Sequence, residues 1–192
     1  MTGWREDIAI HSRAMHHASL PRYFGRRQDI VVHAHRARFN GRSFCCSVGR
    51  GGIAGSKREG DGKTPAGNFG LLDVMYRPDR VDAASLAGAV PLAPGDIWSD
   101  DPQDPAYNQP LNVIGHYPFS HERLYRPDPV YDLIVPTDFN WPNAVAGKGS
   151  AVFLHVWRKP RHPTEGCVAF ALADLLWIVA RIEPATRLII RE

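Results

Sequence analysis

The sequence predicts a mainly β protein built as a single domain. Its 192 residues include 17 Gly and 16 Pro, a turn-rich composition that favours short strands joined by ordered loops over a helical bundle. Hydrophobic residues make up 44% of the chain and charged residues 22%, which is ordinary globular usage and excludes disorder and collagen-like repeats. A chain of this length forms one domain with a substantial core.

The chain is predicted to begin with an N-terminal arm, followed by a hairpin. Residues 1–28 hold three histidines without a clean period and are assigned to an arm, so the domain proper extends over 29–192. Apolar and polar residues alternate from residue 29 to residue 37, and a second such segment follows Asn40-Gly41. An Asn-Gly pair between two alternating segments predicts two strands joined by a tight turn.

The later segments predict a loop, an insertion, strands and one helix. Glycine-rich residues 49–70 predict a long surface loop, and residues 78–110 predict an insertion packed by its aromatic side chains. Apolar residues recur at three- and four-residue steps from Leu172 to Ile182, which predicts an amphipathic helix. Strands are predicted at three places, residues 131–135, 151–156 and 188–190.

Charge and hydropathy exclude several classes of function. The formal net charge is +3 and the basic residues are scattered, so nucleic-acid binding has no electrostatic support. The longest apolar run, residues 169–180, is too short and contains Asp174, so no membrane span is predicted. The first residues lack the apolar region of a secretory signal, which favours a cytoplasmic location. No oligomeric state is predicted.

Cys167 is the candidate nucleophile and His155 its candidate base. Gly166-Cys167 stands shortly before the predicted helix, and a thiol at a helix N-terminus is expected to have a lowered pKa. A nearby imidazole can accept the thiol proton, and Gly166 allows backbone amides to approach a developing oxyanion. The alternative is structural: Cys167 is a small buried hydrophobic residue and His155 a hydrogen-bonded strand histidine.

This segment resembles the active-site motif of the L,D-transpeptidase (YkuD-type) catalytic domain. The motif has a His on a strand, a variable loop, and then Ser/Thr-His-Gly-Cys followed by an aliphatic residue. The chain supplies His155, Thr164, Gly166, Cys167 and Val168 in that order. The Cys167 segment alone is a moderately specific signal.

A second segment strengthens the resemblance. Thr-Pro-Ala-Gly-Asn-Phe at residues 64–69 is similar to the Thr-Pro-x-Gly-x-Phe segment of the family, and it precedes the cysteine motif in the expected order. Together the two segments extend the resemblance from about residue 29 to the C-terminus. The resemblance implies a sandwich-like β fold with one helix following the nucleophile.

The resemblance also implies a function. It implies cysteine-dependent acyl transfer on peptidoglycan stem peptides or muropeptides, with a thioester on Cys167 and His155 as general base, and no cofactor. Three outcomes stay open: an L,D-transpeptidase, an L,D-carboxypeptidase that trims terminal D-Ala from muropeptides, and a silent module that binds peptidoglycan or protein. The family's usual role implies a periplasmic location, in contrast to the location that the first residues favour.

Two positions depart from the family motif. Glu165 stands where the family usually has His, and Ala169 where it usually has Arg or Asn. Because the usual cation is missing, another must bind the substrate carboxylate. Arg123 is the first candidate, ahead of Lys148 and Arg158, and each has the alternative of being an ordinary solvated charge.

Three further residues are assigned to substrate. His121 is expected to line the pocket beside Arg123, with the alternative of a loop histidine bonded to the backbone, while Thr164 and Glu165 are expected to shape the pocket. A zinc site at His116 and His121 is not favoured, because no His-Glu-x-x-His motif is present and the adjacent Cys45-Cys46 pair would point to opposite faces of a strand. No metal site is predicted.

Overall fold

A computed structural model, which describes residues 26–82 and 86–192, contains fifteen strands and one α-helix in those ranges. Most of the predicted arm, residues 1–28, lies outside the described residues, so the domain boundary at residue 29 stays a prediction. The strands in chain order are β1 (Ile30–His33), β2 (Arg36–Phe39), β3 (Arg42–Cys45), β4 (Ile53–Ala54), β5 (Thr64–Pro65), β6 (Gly67–Gly70), β7 (Met75–Tyr76), β8 (Val90–Pro91), β9 (Asp96–Ser99), β10 (Pro110–Asn112), β11 (His121–Arg123), β12 (Leu133–Pro136), β13 (Phe153–Val156), β14 (Val168–Phe170) and β15 (Arg187–Arg191).

The first sheet has the strand order β3-β2-β1-β15-β6. The predicted hairpin is confirmed between β2 and β3, where Asn40 and Gly41 both have positive φ, 46° and 78°. This backbone conformation matches the right-handed twist of a two-residue hairpin, and Asn and Gly adopt it most readily. An additional turn at residues 34–35 divides the first predicted strand into β1 and β2.

The second five-stranded sheet has the order β14-β13-β12-β7-β8. Its strands β12 and β13 confirm the strands predicted at 131–135 and 151–156, although residues 129–131 form a 3-10 helix before β12. A three-stranded sheet, β10-β9-β11, and the short pair β4-β5 complete the β structure of the described residues.

The prediction of a continuous loop over residues 49–70 is wrong. This segment contains β4, β5 and β6, and β6 pairs with β15 in the first sheet. Glycine in β6 permits a close approach: a Cβ added to Gly70 would lie 2.8 Å from Asp138 Oδ2. The pairing partner lies more than 110 residues away, so the local composition does not show that this segment is a strand.

The single α-helix of the described residues, α1 (Leu172–Val179), begins later than Cys167 suggests. Strand β14 separates the two, because Val168, Ala169 and Phe170 pair with β13 and are fully buried. The placement of the thiol at a helix N-terminus is therefore wrong, although the helix does follow it in the chain. None of the described helices is long and apolar enough to cross a bilayer.

Both faces of the second sheet are covered. Val135 and Leu154 belong to the main core, which the two large sheets and α1 share. Ile134 and Phe153 point the other way into a second cluster, where Trp98 of β9 packs on Phe153 with ring centroids 4.9 Å apart. The mainly β fold with one helix is thereby confirmed.

The insertion predicted over 78–110 packs through its aromatic residues. Trp98 and Tyr107 are both buried, and Trp98 Nε1 donates a hydrogen bond of 2.8 Å to Asn108 Oδ1. The segment also supplies strands β8, β9 and β10. Strand β8 is an edge strand of the second sheet, whereas β9 carries Trp98 onto the outer face of that sheet.

A buried ion pair joins the two central strands of the first sheet. Arg187 at the start of β15 donates to both carboxylate oxygens of Asp29, at 3.1 and 2.7 Å, and the Asp29 side chain is 1% exposed. Burial acts to raise the pKa of Asp29, but the hydrogen bonds from Arg187 and from the Arg26 amide hold it below its usual value. The carboxylate is thus buried in its charged form.

Replacing Arg187 should be costly for this reason. We expect Arg187→Leu to lower the free energy of unfolding by about 3 kcal/mol, because Asp29 would remain buried without its partner. Arg191→Leu, an exposed position at the end of the same strand, is expected to change it by less than about 0.5 kcal/mol. Urea denaturation at pH 7 measures both values, and equal losses would contradict this account of the pair.

Candidate active site

Cys167 lies directly before β14, with its sulfur held between two backbone groups. The Phe153 amide donates to Sγ at 3.3 Å, and the thiol itself donates to the Ala151 carbonyl at 3.1 Å. The residue is 9% exposed. The resting sulfur is therefore a hydrogen-bonded thiol in a largely buried position.

His155 lies inside β13 and is also buried. Its Nδ1 is 2.8 Å from the Val156 carbonyl, and because a carbonyl can only accept, Nδ1 carries the proton and Nε2 is left with its lone pair. The ring packs nearly perpendicular to that of Tyr131, with ring centroids 5.5 Å apart. These contacts fix the orientation of the imidazole, and the Val156 carbonyl favours the tautomer with its proton on Nδ1.

Burial makes His155 a neutral base. It lowers the pKa of the imidazole to about 4, and the nearby carbonyls of Val156 and Val130, which favour the protonated ring, only partly oppose it. At neutral pH the ring is uncharged and able to accept a proton. This is the protonation state that a general base requires.

Strand alternation places Cys167 and His155 on the same side of the second sheet. His155 is in register with Ala169, two residues after Cys167, and alternate residues of a strand share a face. Leu154 and Val168, the intervening positions, point into the main core instead. The thiol and the imidazole therefore both line one cleft on the outer face of the sheet.

The thiol of Cys167 does not have the lowered pKa that its sequence position suggests. Burial raises the pKa to about 12, against the hydrogen bond from the Phe153 amide. The expected lowering depended on a helix N-terminus, and β14 occupies the place of that helix start. At rest the pair is therefore thiol and neutral imidazole.

The turn before Cys167 is braced by Thr164. Its Oγ1 donates to the Cys167 carbonyl at 2.7 Å and accepts from the Gly166 amide at 3.1 Å. The Thr164 backbone bonds to Val48 and Arg50. The structure thus gives Thr164 a role in positioning the turn, and it commits the Gly166 amide to that turn instead of leaving it for an oxyanion.

Gly166 is required by the backbone and by its neighbours. Its φ is +153°, and an added Cβ would lie 3.0 Å from the Lys63 carbonyl oxygen. Lys57 approaches the same point, with Cε and Nζ both 3.4 Å from it. A side chain at this position would disturb the turn that presents Cys167.

The cleft encloses about 240 Å³. On one side it is lined by three carboxylates, Glu59, Asp100 and Glu122. Burial raises the pKa of Asp100 and that of Glu122, and repulsion from neighbouring carboxylates adds to both shifts. One Asp100 oxygen, Oδ1, is buried without a hydrogen-bond partner. This side of the cleft is negative and partly desolvated.

Two arginines, Arg126 and Arg158, line the cleft as well. Arg126 is committed to Asp128, to which its Nε and Nη2 donate at 2.8 and 2.7 Å, and its Nη1 lies 3.7 Å from Glu122. Arg158 follows the end of β13 and is exposed. Of these two cations, Arg158 is the more accessible to a ligand.

The structure does not bring all the predicted substrate residues to the cleft. Arg123 is exposed on β11 and, like His121 and Lys148, is not among the residues that line it. The His121 Nδ1 lies 2.8 Å from the Phe119 carbonyl. Glu165 lies at the rim, where its carboxylate accepts from Arg50 Nε at 2.8 Å in an exposed pair.

Sequence reasoning missed several residues of the cleft. Alternation along β11 turns Glu122 to the side opposite Arg123, and this signal was available in the sequence. Lys57 and Glu59 stand among the charges of the glycine-rich segment, where no local pattern shows that they line the cleft. The remaining missed residues with polar side chains are Asp100, Arg126, Tyr131, Ser150 and His162.

Lys57 and Glu59 belong to the β4–β5 loop, residues 55–63, which is fastened to the rest of the domain. Glu59 Oε2 accepts from Tyr107 Oη at 2.5 Å and from Ser150 Oγ at 2.8 Å. The Glu59 amide donates to the Gly147 carbonyl at 3.0 Å. The loop is therefore a fixed wall of the cleft.

The geometry agrees with a comparison against family models. The L,D-transpeptidase catalytic domain (YkuD) model matches residues 18–190, nearly the whole chain. The chain belongs to this family. Searches of curated proteins and of solved structures gave no significant match. The family is one of L,D-transpeptidase-type enzymes that act on peptidoglycan, and the matched range contains both Cys167 and His155.

No metal centre accompanies this pair in the described residues. Within 26–82 and 86–192, no group of three His, Cys, Asp or Glu side chains is arranged to hold a metal ion.

The lowered pKa of His155 predicts a loss of stability in acid. His155 binds a proton near pH 6.5 in the unfolded chain and only near pH 4 in the folded protein. The stabilising contribution of the neutral imidazole is therefore complete above pH 6.5 and is lost as the pH falls towards 4. Between pH 7 and pH 4.5 His155 alone should cost about 2 to 3 kcal/mol. His155→Gln should show that much less acid dependence in urea denaturation, whereas His33→Gln, at an exposed position, should retain it. Identical pH dependence in wild type and His155→Gln would contradict the assignment.

Proposed function

We propose that the protein catalyses cysteine-dependent acyl transfer on peptidoglycan stem peptides. The observation that carries the proposal is the placement of Cys167 and His155 on one face of the β13–β14 pair, in a cleft, within a chain of the L,D-transpeptidase family. The neutral state of His155 supports its role as the base. The substrate carbonyl would be the one between an L-centre and a terminal D-alanine.

In the first half of the reaction His155 Nε2 accepts the Cys167 proton as Sγ attacks the carbonyl carbon. The C–N bond to D-alanine then breaks, and the imidazolium returns the proton to the leaving amine. The products of this half are free D-alanine and a thioester on Cys167. Because Nδ1 stays bonded to the Val156 carbonyl, the ring keeps its orientation during both transfers.

In the second half a nucleophile attacks the thioester carbonyl while His155 removes its proton. An amine of another stem gives a crosslink, which is the transpeptidase outcome, and water gives a shortened stem, which is the L,D-carboxypeptidase outcome. In both cases the C–S bond breaks and Cys167 recovers its proton. The transpeptidase outcome requires a periplasmic location, because polymeric peptidoglycan lies there. The carboxypeptidase outcome corresponds to trimming of muropeptides in the cytoplasm.

The charges of the cleft support a substrate that carries charges of both signs. Glu59, Asp100 and Glu122 provide a negative side, and Arg158 provides an accessible cation. A stem peptide ending in D-alanine offers a carboxylate next to the scissile bond. We assign the binding of that carboxylate to Arg158, in place of Arg123.

A silent module that binds without turnover is the second candidate. The burial of Cys167 and its raised pKa favour it, because a buried thiol is the less reactive kind. A silent module would bind its ligand in the same cleft, without proton transfer to His155. Product analysis separates the two.

Incubation with a tetrapeptide stem, with and without a second stem, should release free D-alanine in a reaction that depends on Cys167. We expect no turnover in Cys167→Ala, and a loss of about 10²- to 10⁴-fold in His155→Gln, because the base serves both half-reactions. Cys45→Ser, at an exposed cysteine on β3, is the matched control and should keep full activity. Mass spectrometry resolves the products.

The products decide among the three outcomes. A crosslinked dimer identifies a transpeptidase, a trimmed tripeptide identifies a carboxypeptidase, and unchanged stems at stoichiometric binding identify the silent module. Full turnover by Cys167→Ala would show that the nucleophile lies elsewhere.

Arg158→Gln should weaken substrate binding. A charge-assisted contact with the D-alanine carboxylate made equally in the ground and transition states should raise KM about tenfold with little change in kcat. Arg123→Gln, which removes the same charge outside the cleft, should leave KM unchanged. Steady-state kinetics on the stem peptide measure both, and the reverse result would return the anchor to Arg123.

A further inference from the structure

Lys57 is a buried lysine beside the nucleophile that the proposed reaction leaves without a role. Its side chain is only 5% exposed, although lysine is rarely buried unless its charge is paired. It lies in the β4–β5 loop and lines the same cleft as Cys167. A cation in this position requires an explanation.

Asp61 holds the lysine in place. Lys57 Nζ donates to Asp61 Oδ1 at 2.7 Å and to the Arg58 carbonyl at 3.2 Å. The Asp61 carboxylate also accepts from the backbone amides of Arg58 and Lys63, at 2.8 and 2.9 Å. Four hydrogen bonds around one turn therefore determine where the ammonium group lies.

Two glycines make room for the lysine side chain. A Cβ added to Gly149 would lie 2.9 Å from Lys57 Cγ, and one added to Gly166 would lie 3.4 Å from Cε and from Nζ. Both glycines have positive φ, +102° and +153°. The lysine thus passes alongside the residue directly before Cys167, which carries its charge to the active-site turn.

The charged and titratable groups around Cys167 act in different directions. The Lys57 charge and the Phe153 amide favour the thiolate, whereas burial and the Glu122 carboxylate oppose it. Tyr131 and Cys167 also interact electrostatically, and His155 is neutral. Among the described residues, the positive charge that lowers the pKa of Cys167 is that of Lys57.

We propose that Lys57 is a positioning residue for the reaction, whose ammonium group stabilises the negative charge that develops on Cys167 Sγ when His155 accepts the thiol proton. No bond to Lys57 forms or breaks, and its proton stays on Nζ. This role replaces the helix N-terminus that the sequence suggested. It rests on the proposed function only in taking Cys167 as the nucleophile, and it holds whichever acceptor resolves the thioester.

The test is the rate of alkylation of Cys167 by iodoacetamide, measured from pH 7 to pH 9.5 in a Cys45→Ser background. That background removes the exposed thiol on β3, and peptide mapping separates Cys167 from the buried Cys46. Below its pKa a thiol reacts in proportion to its thiolate fraction, so a loss of stabilising charge slows the reaction. The assay uses no substrate.

We expect Lys57→Met to alkylate about four- to tenfold more slowly at each pH. Removing an opposite charge raises a pKa by about one unit or more, and the greater intrinsic nucleophilicity of the higher-pKa thiolate offsets part of the effect. Lys57→Arg, which keeps the charge, should remain close to the background rate. Lys63→Met, in the same loop but outside the cleft lining, is the matched control and should not change it.

A paired variant covers the case in which Lys57→Met does not fold. Lys57→Met with Asp61→Asn removes both charges and should also slow the reaction, but by less, because loss of the Asp61 carboxylate favours the thiolate. Folding is checked by near-UV circular dichroism. An unchanged rate in the folded variant, or equal slowing in Lys63→Met, would overturn the proposal. Slowed alkylation without any product from stem peptides would overturn the proposed function and leave only the effect of Lys57 on the Cys167 thiolate intact.

Discussion

The site depends on one constraint: the sheet formed by β12, β13 and β14 is covered on both faces. One set of alternate residues, with Leu154 and Val168, fills the core between the two large sheets, and the other, with Phe153, His155 and Cys167, faces the layer that contains Trp98. Because strand side chains alternate strictly, the pairing that buries one set determines where the other set lies. The same packing that stabilises the fold therefore places the thiol and the imidazole on one face of the sheet.

Burial affects the two reacting groups in the same way. It lowers the pKa of His155 and raises that of Cys167, so both favour their neutral forms and the resting pair carries no charge. Transfer of one proton between them creates two charges in a desolvated place, which is costly unless the surroundings compensate. The Phe153 amide and the ammonium group of Lys57 favour the thiolate of Cys167, whereas the Glu122 carboxylate disfavours it.

Charges from distant segments meet in the cleft. Glu59 comes from the β4–β5 loop, Asp100 follows β9, Glu122 lies on β11 and Arg158 follows β13. The hydrogen bond between Glu59 and Tyr107 fastens the loop to the segment after β9. The cleft is therefore assembled by tertiary contacts between polar segments whose local sequences do not predict it. Both positively and negatively charged side chains line the cleft that contains the thiol of Cys167.

The sequence by itself determined the features that local patterns encode. These are the mainly β class, the turn at Asn40-Gly41, strands β12, β13 and β15, the helix that follows Cys167, and the resemblance of the segments around His155 and Cys167 to a family motif. Turn chemistry and side-chain periodicity act over a few residues, so they are visible without a structure. Only the tertiary structure decided that β14 follows Cys167 directly, that β6 joins the first sheet, and that Lys57 lines the cleft of Cys167 while Arg123 does not. Those outcomes depend on partners far away in the chain, and the local sequence around a strand or a charged residue does not specify which distant residue it will contact.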